Sequence, residues 1–193
     1  MCSKVTNFFS TRRIQKIYAK KFSDLSHVDV EKGLPKMVNV SSKQHTLRTA
    51  QARGFVIFPV DTFRLLKDQE HRSAKGPIIS TAIVAGVLGA KKTPELIPFC
   101  HPVPMDGCDI WITETSRSLP GSGESVPEAP NAFQIDCLVT TTYKTGIEME
   151  ALTGASCAAL CVYDMCKALT HDIVISDLQL ISKTGGKSPY ARP

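Results

Sequence analysis

KTGIEMEALTGASCAALCVYDMCKA, residues 144–168, is the stretch of sequence that decides the fold. Thr145-Gly-Ile-Glu148 matches the capping box, in which a Thr hydroxyl and a Glu carboxylate satisfy backbone amides at the start of a helix. The run that follows is rich in Ala and Leu, which favour the helical conformation. The segment therefore predicts a long helix from the capping box to about Leu169.

Apolar patterns on both sides of this helix predict β-strands. Arg53–Pro59 contains a run of apolar residues bounded by Gly54 and Pro59, which is typical of a buried strand. Apolar and polar residues alternate around Ile110–Ile112 and again over Phe133–Val139, as they do in strands with one buried face. These two segments predict adjacent antiparallel strands, and Ile173–Ile181 predicts a last strand.

Two helices are expected between the first and second strands. Asp61 is placed to cap a short helix whose Phe63, Leu65 and Leu66 face inward. Pro77–Lys92 predicts a second helix with proline at its first position, where proline is tolerated. The order β, two helices, β, β, α, β is the split βαβ arrangement with one helix doubled. We therefore expect an α+β, ferredoxin-like fold in which an antiparallel sheet packs on helices.

Two segments between these elements are predicted to be loops. Ile97–Met105 holds three prolines together with Cys100 and His101, a composition that excludes regular structure and predicts a rigid loop. Functional side chains are often presented by such loops. Ser116–Asn131 is rich in Pro, Gly and Ser without apolar periodicity, so it predicts a surface loop to which we assign no chemistry.

The surplus of positive charge lies at the N-terminus. The chain carries 23 basic and 18 acidic residues, a net charge of +5. Residues 1–21 hold six of the basic residues and no acidic one, so the remainder has 17 basic against 18 acidic residues. A nearly neutral folded part disfavours nucleic acid as a partner.

Residues 1–22 therefore predict a targeting leader or a disordered basic tail, ahead of a single domain over residues 23–193. A basic, acid-free stretch with hydroxyl side chains and scattered apolar ones resembles a mitochondrial transit peptide more than a secretory signal. We expect a mitochondrial matrix location, with the cytoplasm as the alternative. The longest apolar run, Ile78–Ala90, is too short to cross a bilayer, so no membrane association is expected.

Asp164 and Lys167 are three residues apart on the predicted long helix, so their side chains emerge on the same face. An acid beside an amine is suited to proton transfer, because each group shifts the ionisation of the other. An ordinary surface ion pair has the same spacing and is the alternative interpretation. His101, fixed between Pro98 and Pro102, suits either a catalytic or a structural role.

Metal and phosphate motifs are incomplete in this chain. Cys100 beside His101 lacks the second ligand pair of a tetrahedral zinc site, so no metal is expected. The seven cysteines form no CxxC pair, which favours free thiols in a reducing compartment. Lys183–Ser188, KTGGKS, resembles the end of a phosphate loop but lacks its first glycine and the helix that follows. Its two lysines either wrap phosphate oxygens or form a solvated basic tail.

Several segments together resemble one known family. They are Met37–Val40 with Arg48, Lys75-Gly76, Ala85–Lys91, Leu96–Pro102, Lys144–Thr153, Tyr163–Ala168 and Lys183–Lys187. In these segments the chain resembles the MoaC family, the cyclic pyranopterin monophosphate synthases of molybdenum-cofactor biosynthesis. The resemblance extends from about Leu25 to Ser188.

The resemblance implies a role for each matching residue. Asp164 is implied to be the catalytic acid/base, with Lys167 beside it and His101 as a further catalytic group. The implied substrate-binding residues are Phe99, Cys100, His101, Met149, Glu150, Lys75 and Lys183, with Lys43 and Arg48 contributed by a neighbouring subunit.

The resemblance also implies a substrate and an assembly. The substrate is a 3′,8-cyclised dihydro-GTP made by a radical S-adenosylmethionine GTP cyclase, and the product is a pyranopterin with a cyclic phosphate, formed with loss of pyrophosphate. Acid and base groups suit the proton movements, and lysines suit the charge that develops on pyrophosphate. No metal or redox cofactor is expected. The family implies a homohexamer, a trimer of dimers with sites at subunit interfaces.

Two departures from the family pattern are visible, Asn39 in place of the usual Asp and the longer segment 116–131. Two other functions remain open at the level of sequence. A non-catalytic phosphate- or nucleotide-binding protein would keep the lysines without needing Asp164 or His101. A nucleic-acid-binding module would bind with an affinity that falls steeply with salt.

Overall fold

The computed structural model describes residues 28–29, 34–121, 123 and 125–193. The predicted leader, residues 1–22, lies outside the described residues, and the predicted boundary at residue 22 stays a prediction. The chain divides into two compact units, Met1–Val40 and Ser41–Pro193. In the first unit, β1 (Val28–Asp29) pairs antiparallel with β2 (Leu34–Pro35).

The second unit contains the remaining helices and strands that the structure describes. In chain order they are β3 (Thr46–Ile57), α1 (Val60–Asp68), β4 (Arg72–Ser73), β5 (Gly76–Pro77), α2 (Ile78–Lys91), α3 (Thr93–Leu96), β6 (Gly107–Thr115), β7 (Ala132–Tyr143), α4 (Glu148–Cys166), β8 (Val174–Thr184) and β9 (Tyr190–Ala191). Residues 97–106 between α3 and β6 are irregular, as predicted from their prolines. No described helix is both long and apolar enough to cross a membrane.

A five-stranded antiparallel sheet forms the centre of this unit, in the order β6-β7-β3-β8-β9. The central strand β3 pairs with β7 along its whole length, from Thr46 opposite Tyr143 to Ile57 opposite Ala132. The first and third of the four long strands are adjacent at the centre, as the split βαβ arrangement requires. The predicted α+β class and its antiparallel sheet are confirmed.

Helices α2 and α4 pack closely together on one face of the sheet because small residues line their contact. A Cβ atom added to Gly86 would lie 2.8 Å from the Gly154 carbonyl oxygen, and one added to Gly89 would lie 2.4 Å from Cys157 Sγ. Beneath them lies a core of fully buried side chains. Its largest members are Phe58, Phe63, Phe133, Leu66, Ile78, Ile135, Ile147, Val56, Val139 and Val162.

The long helix forms, but its predicted capping box does not. Helix α4 begins at Glu148, with Ile147 as its N-cap and no side-chain cap hydrogen bond. The Glu148 carboxylate instead accepts a hydrogen bond from Lys183 Nζ at 2.9 Å. The helix ends at Cys166, short of the predicted Leu169. The Glu148 carboxylate therefore takes part in a long-range ion pair rather than in a capping box.

The helix after β3 also starts differently from the prediction. Pro59 is the N-cap of α1, and Asp61 lies in the first turn without capping it. Phe63 and Leu66 are buried as expected, but Leu65 is 44% exposed. Asp61 pairs with Arg64 one turn later at 3.2 Å, a contact that keeps the carboxylate at the surface. The second predicted helix is confirmed within one residue at each end.

The strands are longer than their apolar residues predicted. Strand β3 starts at Thr46 rather than Arg53, so its first seven residues precede the predicted strand. Its polar first half pairs with β7 on one side and β8 on the other. Strand β8 continues to Thr184 and is joined by the unforeseen β9. Backbone pairing with neighbours on both sides makes this polar segment a strand, and hydropathy does not report such pairing.

Candidate active site

Asp164 lies between two lysines near the C-terminal end of α4. Lys167 Nζ is 2.8 Å from Asp164 Oδ1, and Lys75 Nζ is 2.5 Å from Asp164 Oδ2. Lys75 Nζ also donates to the Asp164 carbonyl oxygen at 3.0 Å. The predicted pair of Asp164 and Lys167 is therefore part of a group of three charges, and Lys75 joins it from a hairpin 89 residues earlier in the chain.

Two ammonium groups control the ionisation of this carboxylate. Hydrogen bonds from Lys167 and then Lys75 lower the pKa of Asp164 to about 2, and Asp164 in turn raises the pKa of Lys167. The Asp164 side chain is 53% exposed, so solvent and a ligand both have access to it. At neutral pH the group therefore holds one carboxylate and two ammonium ions, and a ligand that displaces one lysine changes the basicity of the acid.

A second group of charges lies near the N-terminal end of α4. Lys183 Nζ on β8 donates to Glu148 Oε1 at 2.9 Å. Arg48 on β3 donates from Nε to the Tyr143 carbonyl oxygen at 2.9 Å, which holds its guanidinium near the loop before α4. A cleft of about 180 Å³ lies here. Its lining residues are Arg48, Thr49, Gly146, Ile147, Glu148, Lys183, Thr184, Gly186, Lys187 and Ser188.

A glycine turn after β8 forms part of the cleft wall. Gly185 has φ +77°, and a Cβ atom added there would lie 1.9 Å from the Leu47 carbonyl oxygen. Only glycine fits such a close approach with a left-handed backbone. The Thr46 hydroxyl donates to the Gly185 carbonyl oxygen at 2.9 Å and fixes the turn to β3. The turn therefore places Lys187 on the cleft that also contains Lys183.

Glu150 is the buried acid of the same region. Only 3% of the residue is exposed, and burial, followed by the nearby Glu148 charge, raises its pKa to about 7. Burial also raises the pKa of the Cys100 thiol, with further contributions from Glu150 and then Glu148. Both acids lie in the first turn of α4, so the proline-rich loop that carries Cys100 and His101 lies near that turn. Glu150 is thus an acid that titrates close to neutral pH.

The two groups of charges stand at opposite ends of one helix. Glu148 and Asp164 are 16 residues apart on α4, which corresponds to about 24 Å along the helix axis. Within one chain the structure therefore brings Asp164, Lys167 and Lys75 together at one end. At the other end it collects Glu150, Cys100, Lys183 and Arg48.

Four other predicted residues are exposed or half-buried. Phe99 and Met149 are apolar side chains that are exposed to solvent. Lys43 is exposed in the turn before β3. His101 follows Cys100 in the loop near the start of α4, the end of the helix opposite to Asp164.

The MoaC family model matches residues 37–186 of this chain, which includes both groups of charges. This chain belongs to the MoaC family. The match covers the helix with Asp164 and Lys167, the loop with Cys100 and His101, and the turn after β8.

Relatives in the MoaC family are similar over most of the chain. "Cyclic pyranopterin monophosphate synthase" of Xanthomonas campestris pv. campestris (strain B100) is 49% identical over 163 residues, which is 84% of this chain and 90% of the relative. The protein with the same description from Heliobacterium modesticaldum is 46% identical over 86% of this chain and 95% of its own length. "Molybdenum cofactor biosynthesis protein 1" of Dictyostelium discoideum is 41% identical over 86% of this chain, and the match occupies 27% of that longer relative.

Sequence reasoning missed Glu148 and the link between Lys75 and Asp164. Glu148 was interpreted as a capping residue, and its contact with Lys183 spans 35 residues of sequence. Neither contact has a local signature, since each depends on how the sheet and helices pack. Among the described residues, no cluster of three or more His, Cys, Asp or Glu side chains is arranged to hold a metal ion.

Proposed function

We propose that this protein is a cyclic pyranopterin monophosphate synthase, a lyase that converts (8S)-3′,8-cyclo-7,8-dihydroguanosine 5′-triphosphate to cyclic pyranopterin monophosphate and pyrophosphate in molybdenum-cofactor biosynthesis. The observation that carries the proposal is Asp164 held between Lys75 and Lys167. Membership of the MoaC family and relatives with this description support it.

The acid–base part of the reaction is assigned to Asp164 and Lys167, with His101 as a further proton carrier. Rearranging the purine ring requires protons to leave some atoms and reach others. Asp164 is ionised at neutral pH and accepts a proton, whereas the Lys167 ammonium is able to donate one. Substrate that displaces Lys75 from the carboxylate raises the pKa of Asp164 and so makes it a better base at neutral pH.

Release of pyrophosphate is assigned to the cleft at the other end of α4. Negative charge develops on the departing phosphates, and fixed cations stabilise that charge best where water is partly excluded. Arg48, Lys183 and Lys187 line this cleft. An anion that enters it competes with Glu148 for the Lys183 ammonium. Phe99, Cys100, Met149 and Glu150 are proposed to contact the remainder of the substrate.

The site is proposed to be completed by a second copy of the chain, within a homohexamer built as a trimer of dimers. A single cyclised nucleotide does not reach between charge groups about 24 Å apart along α4. A neighbouring copy that presents its Arg48 and Lys43 to the Asp164 group removes that difficulty. Exposed apolar side chains on α2 and α4 supply surface for such contacts, and Val84, at 68% exposure, is the most exposed of them.

Location and supply of substrate complete the proposal. The basic, acid-free composition of residues 1–22 supports import into the mitochondrial matrix, with the cytoplasm as the alternative. The substrate is proposed to come from a radical S-adenosylmethionine GTP cyclase. The reaction rearranges the purine ring by proton transfers and forms the cyclic phosphate as pyrophosphate leaves, so it requires no redox cofactor.

Turnover of the cyclised GTP substrate tests the proposal. Purified protein is incubated with this compound, and pyrophosphate and pterin fluorescence are measured over time. We expect both products from the wild-type protein and neither from Lys167→Ala. A wild-type protein that binds the compound but forms neither product would instead be a nucleotide-binding protein, and the proposed activity would be wrong.

A further inference from the structure

Lys75 reaches Asp164 from the tip of a short hairpin. In this hairpin Arg72 pairs with Pro77 and Ser73 pairs with Gly76, so Ala74 and Lys75 form the two-residue tip. The Lys75 amide donates to Ser73 Oγ at 3.2 Å, and Gly76 has φ +116°. Because Lys75 has a long, flexible side chain, its contact with Asp164 depends on where the hairpin is held.

The hairpin begins in a backbone conformation that L-residues adopt rarely. Glu70 has φ +52° and His71 has φ +54°, two consecutive non-glycine residues in the left-handed region. The His71 amide donates to the Leu66 carbonyl oxygen at 2.8 Å, and the His71 carbonyl oxygen accepts from the Ile78 amide at 3.0 Å. Such a conformation persists only where the surroundings hold it, and it is common at functional positions. His71 thus joins the end of α1 to both ends of the hairpin.

The side chain of His71 is held from two directions. Its ring packs edge-on against Phe133, with centroids 5.2 Å apart, and lies 6.2 Å from the Phe63 ring. His71 Nε2 is 3.2 Å from Glu114 Oε1, and Lys67 Nζ donates to the other oxygen of Glu114 at 2.9 Å. His71 Nε2 is buried and makes no well-angled hydrogen bond to any residue in the described part of the chain, so its approach to Glu114 is a close polar contact.

We propose that His71 is a positioning residue for the active site: it fixes the hairpin that brings the Lys75 ammonium to the Asp164 carboxylate. The catalytic meaning of this inference rests on the proposed function. The contact between Lys75 and Asp164 that it explains does not depend on that function. His71 itself touches neither Asp164 nor Lys75. It acts through the backbone that it anchors between α1, β6 and β7.

The test is the pKa of Asp164, measured through its ¹³C-labelled carboxyl resonance in the full chain. His71→Phe keeps an aromatic ring against Phe133 and removes the nitrogen next to Glu114. We expect the pKa of Asp164 to rise by about one unit in this variant, because the Lys75 ammonium is no longer held beside the carboxylate. Lys75→Ala sets the size of the rise, and adding His71→Phe to Lys75→Ala should change the pKa no further.

Phe63→Leu is the matched control, since it loosens the same aromatic cluster but leaves the pair of His71 and Glu114 in place. We expect it to lower the thermal stability and leave the pKa of Asp164 unchanged. An unchanged pKa in His71→Phe, or an equal rise in Phe63→Leu, would overturn the proposal. If His71→Phe does not fold, Glu114→Gln is titrated in its place with the same two outcomes. The measurement uses no substrate, so it succeeds or fails independently of turnover.

Discussion

At the C-terminal end of α4 the Asp164 carboxylate is half exposed and lies between two ammonium groups, whereas at the N-terminal end the Glu150 carboxylate is buried beside another acid. The first environment lowers the pKa of Asp164 to about 2, and the second raises the pKa of Glu150 to about 7. One helix therefore presents an acid that stays ionised and an acid that titrates near neutral pH.

This difference means that the two acids of α4 are controlled by different physical effects. Charge partners control Asp164, so a ligand that moves a lysine changes its basicity. Burial controls Glu150, so a ligand that changes access to water changes its protonation. Each end of α4 is thus expected to respond to substrate in its own way.

Replacing the ionised acid gives the largest expected effect. Asp164→Asn removes the group that accepts a proton and keeps its shape, so we expect turnover to fall about 10³-fold. Substrate affinity, measured by calorimetry, should change by less than about threefold, because the lysines remain. Asp172→Asn, in the turn after α4, is the control and should keep wild-type turnover. Equal losses in the two variants would show that the position of the charge is unimportant.

Replacing the buried acid should stabilise the protein at alkaline pH. A raised pKa means that the folded state binds more protons than the unfolded state between pH 4.5 and about 7, so stability falls as pH rises through this range. Glu150→Gln removes that loss, and we expect a gain of about 3 kcal/mol in the free energy of unfolding at pH 8. The gain should vanish below pH 4.5.

Chemical denaturation at several pH values measures this effect. Glu95→Gln is the control, because Glu95 is an exposed acid paired with Lys92. It should show no comparable dependence on pH. A Glu150→Gln variant that is equally stable relative to wild type at pH 4 and pH 8 would mean that burial does not perturb this acid.

The cleft lysine gives an intermediate effect. Lys183→Ala removes a charge-assisted contact to an anion in the cleft, and we expect pyrophosphate to bind about tenfold more weakly. Lys92→Ala is the matched control, since Lys92 also pairs with a glutamate but lies outside the cleft. Titration calorimetry with pyrophosphate distinguishes the two variants. Equal affinities of the wild type and both variants for pyrophosphate would show that Lys183 does not bind this anion in the cleft.

The smallest expected effect concerns the start of α4. If the capping box formed, Thr145→Ala would lower the free energy of unfolding by about 1 kcal/mol. Because α4 has no side-chain cap, we expect the free energy of unfolding to change by only a few tenths of a kcal/mol. Urea denaturation measures the difference, and a loss near 1 kcal/mol would show that the box forms in solution.

Local patterns predicted those parts of the fold that depend on local chemistry. The small and apolar residues of Pro77–Lys92 specified a helix that the structure confirms within one residue. The alternation over Phe133–Val139 likewise specified a strand with one buried face. The polar first half of β3 was not predicted, because Thr46–Arg48 has no apolar periodicity of its own. This half of the strand forms because its backbone pairs with β7 on one side and with β8 on the other.

The candidate site shows the same division. The spacing of Asp164 and Lys167 predicted their contact, since residues three apart meet on a helix. Lys75 was predicted as a site residue only from the family resemblance. Its ion pair with Asp164 depends on a hairpin whose preceding backbone is unusual at Glu70 and His71. Glu148 was assigned to the wrong partner because a capping box is a local pattern and Lys183 is distant in sequence.

Mixing two inactive variants tests most directly whether the two ends of α4 from different chains form one site. Asp164→Asn and the double variant His101→Ala with Lys183→Ala are each assayed alone and after co-refolding. If two chains share each site, mixed dimers hold one intact site, and the mixture should recover about a quarter of wild-type pyrophosphate release. Activity no higher than the sum of the separate variants would contradict the shared site.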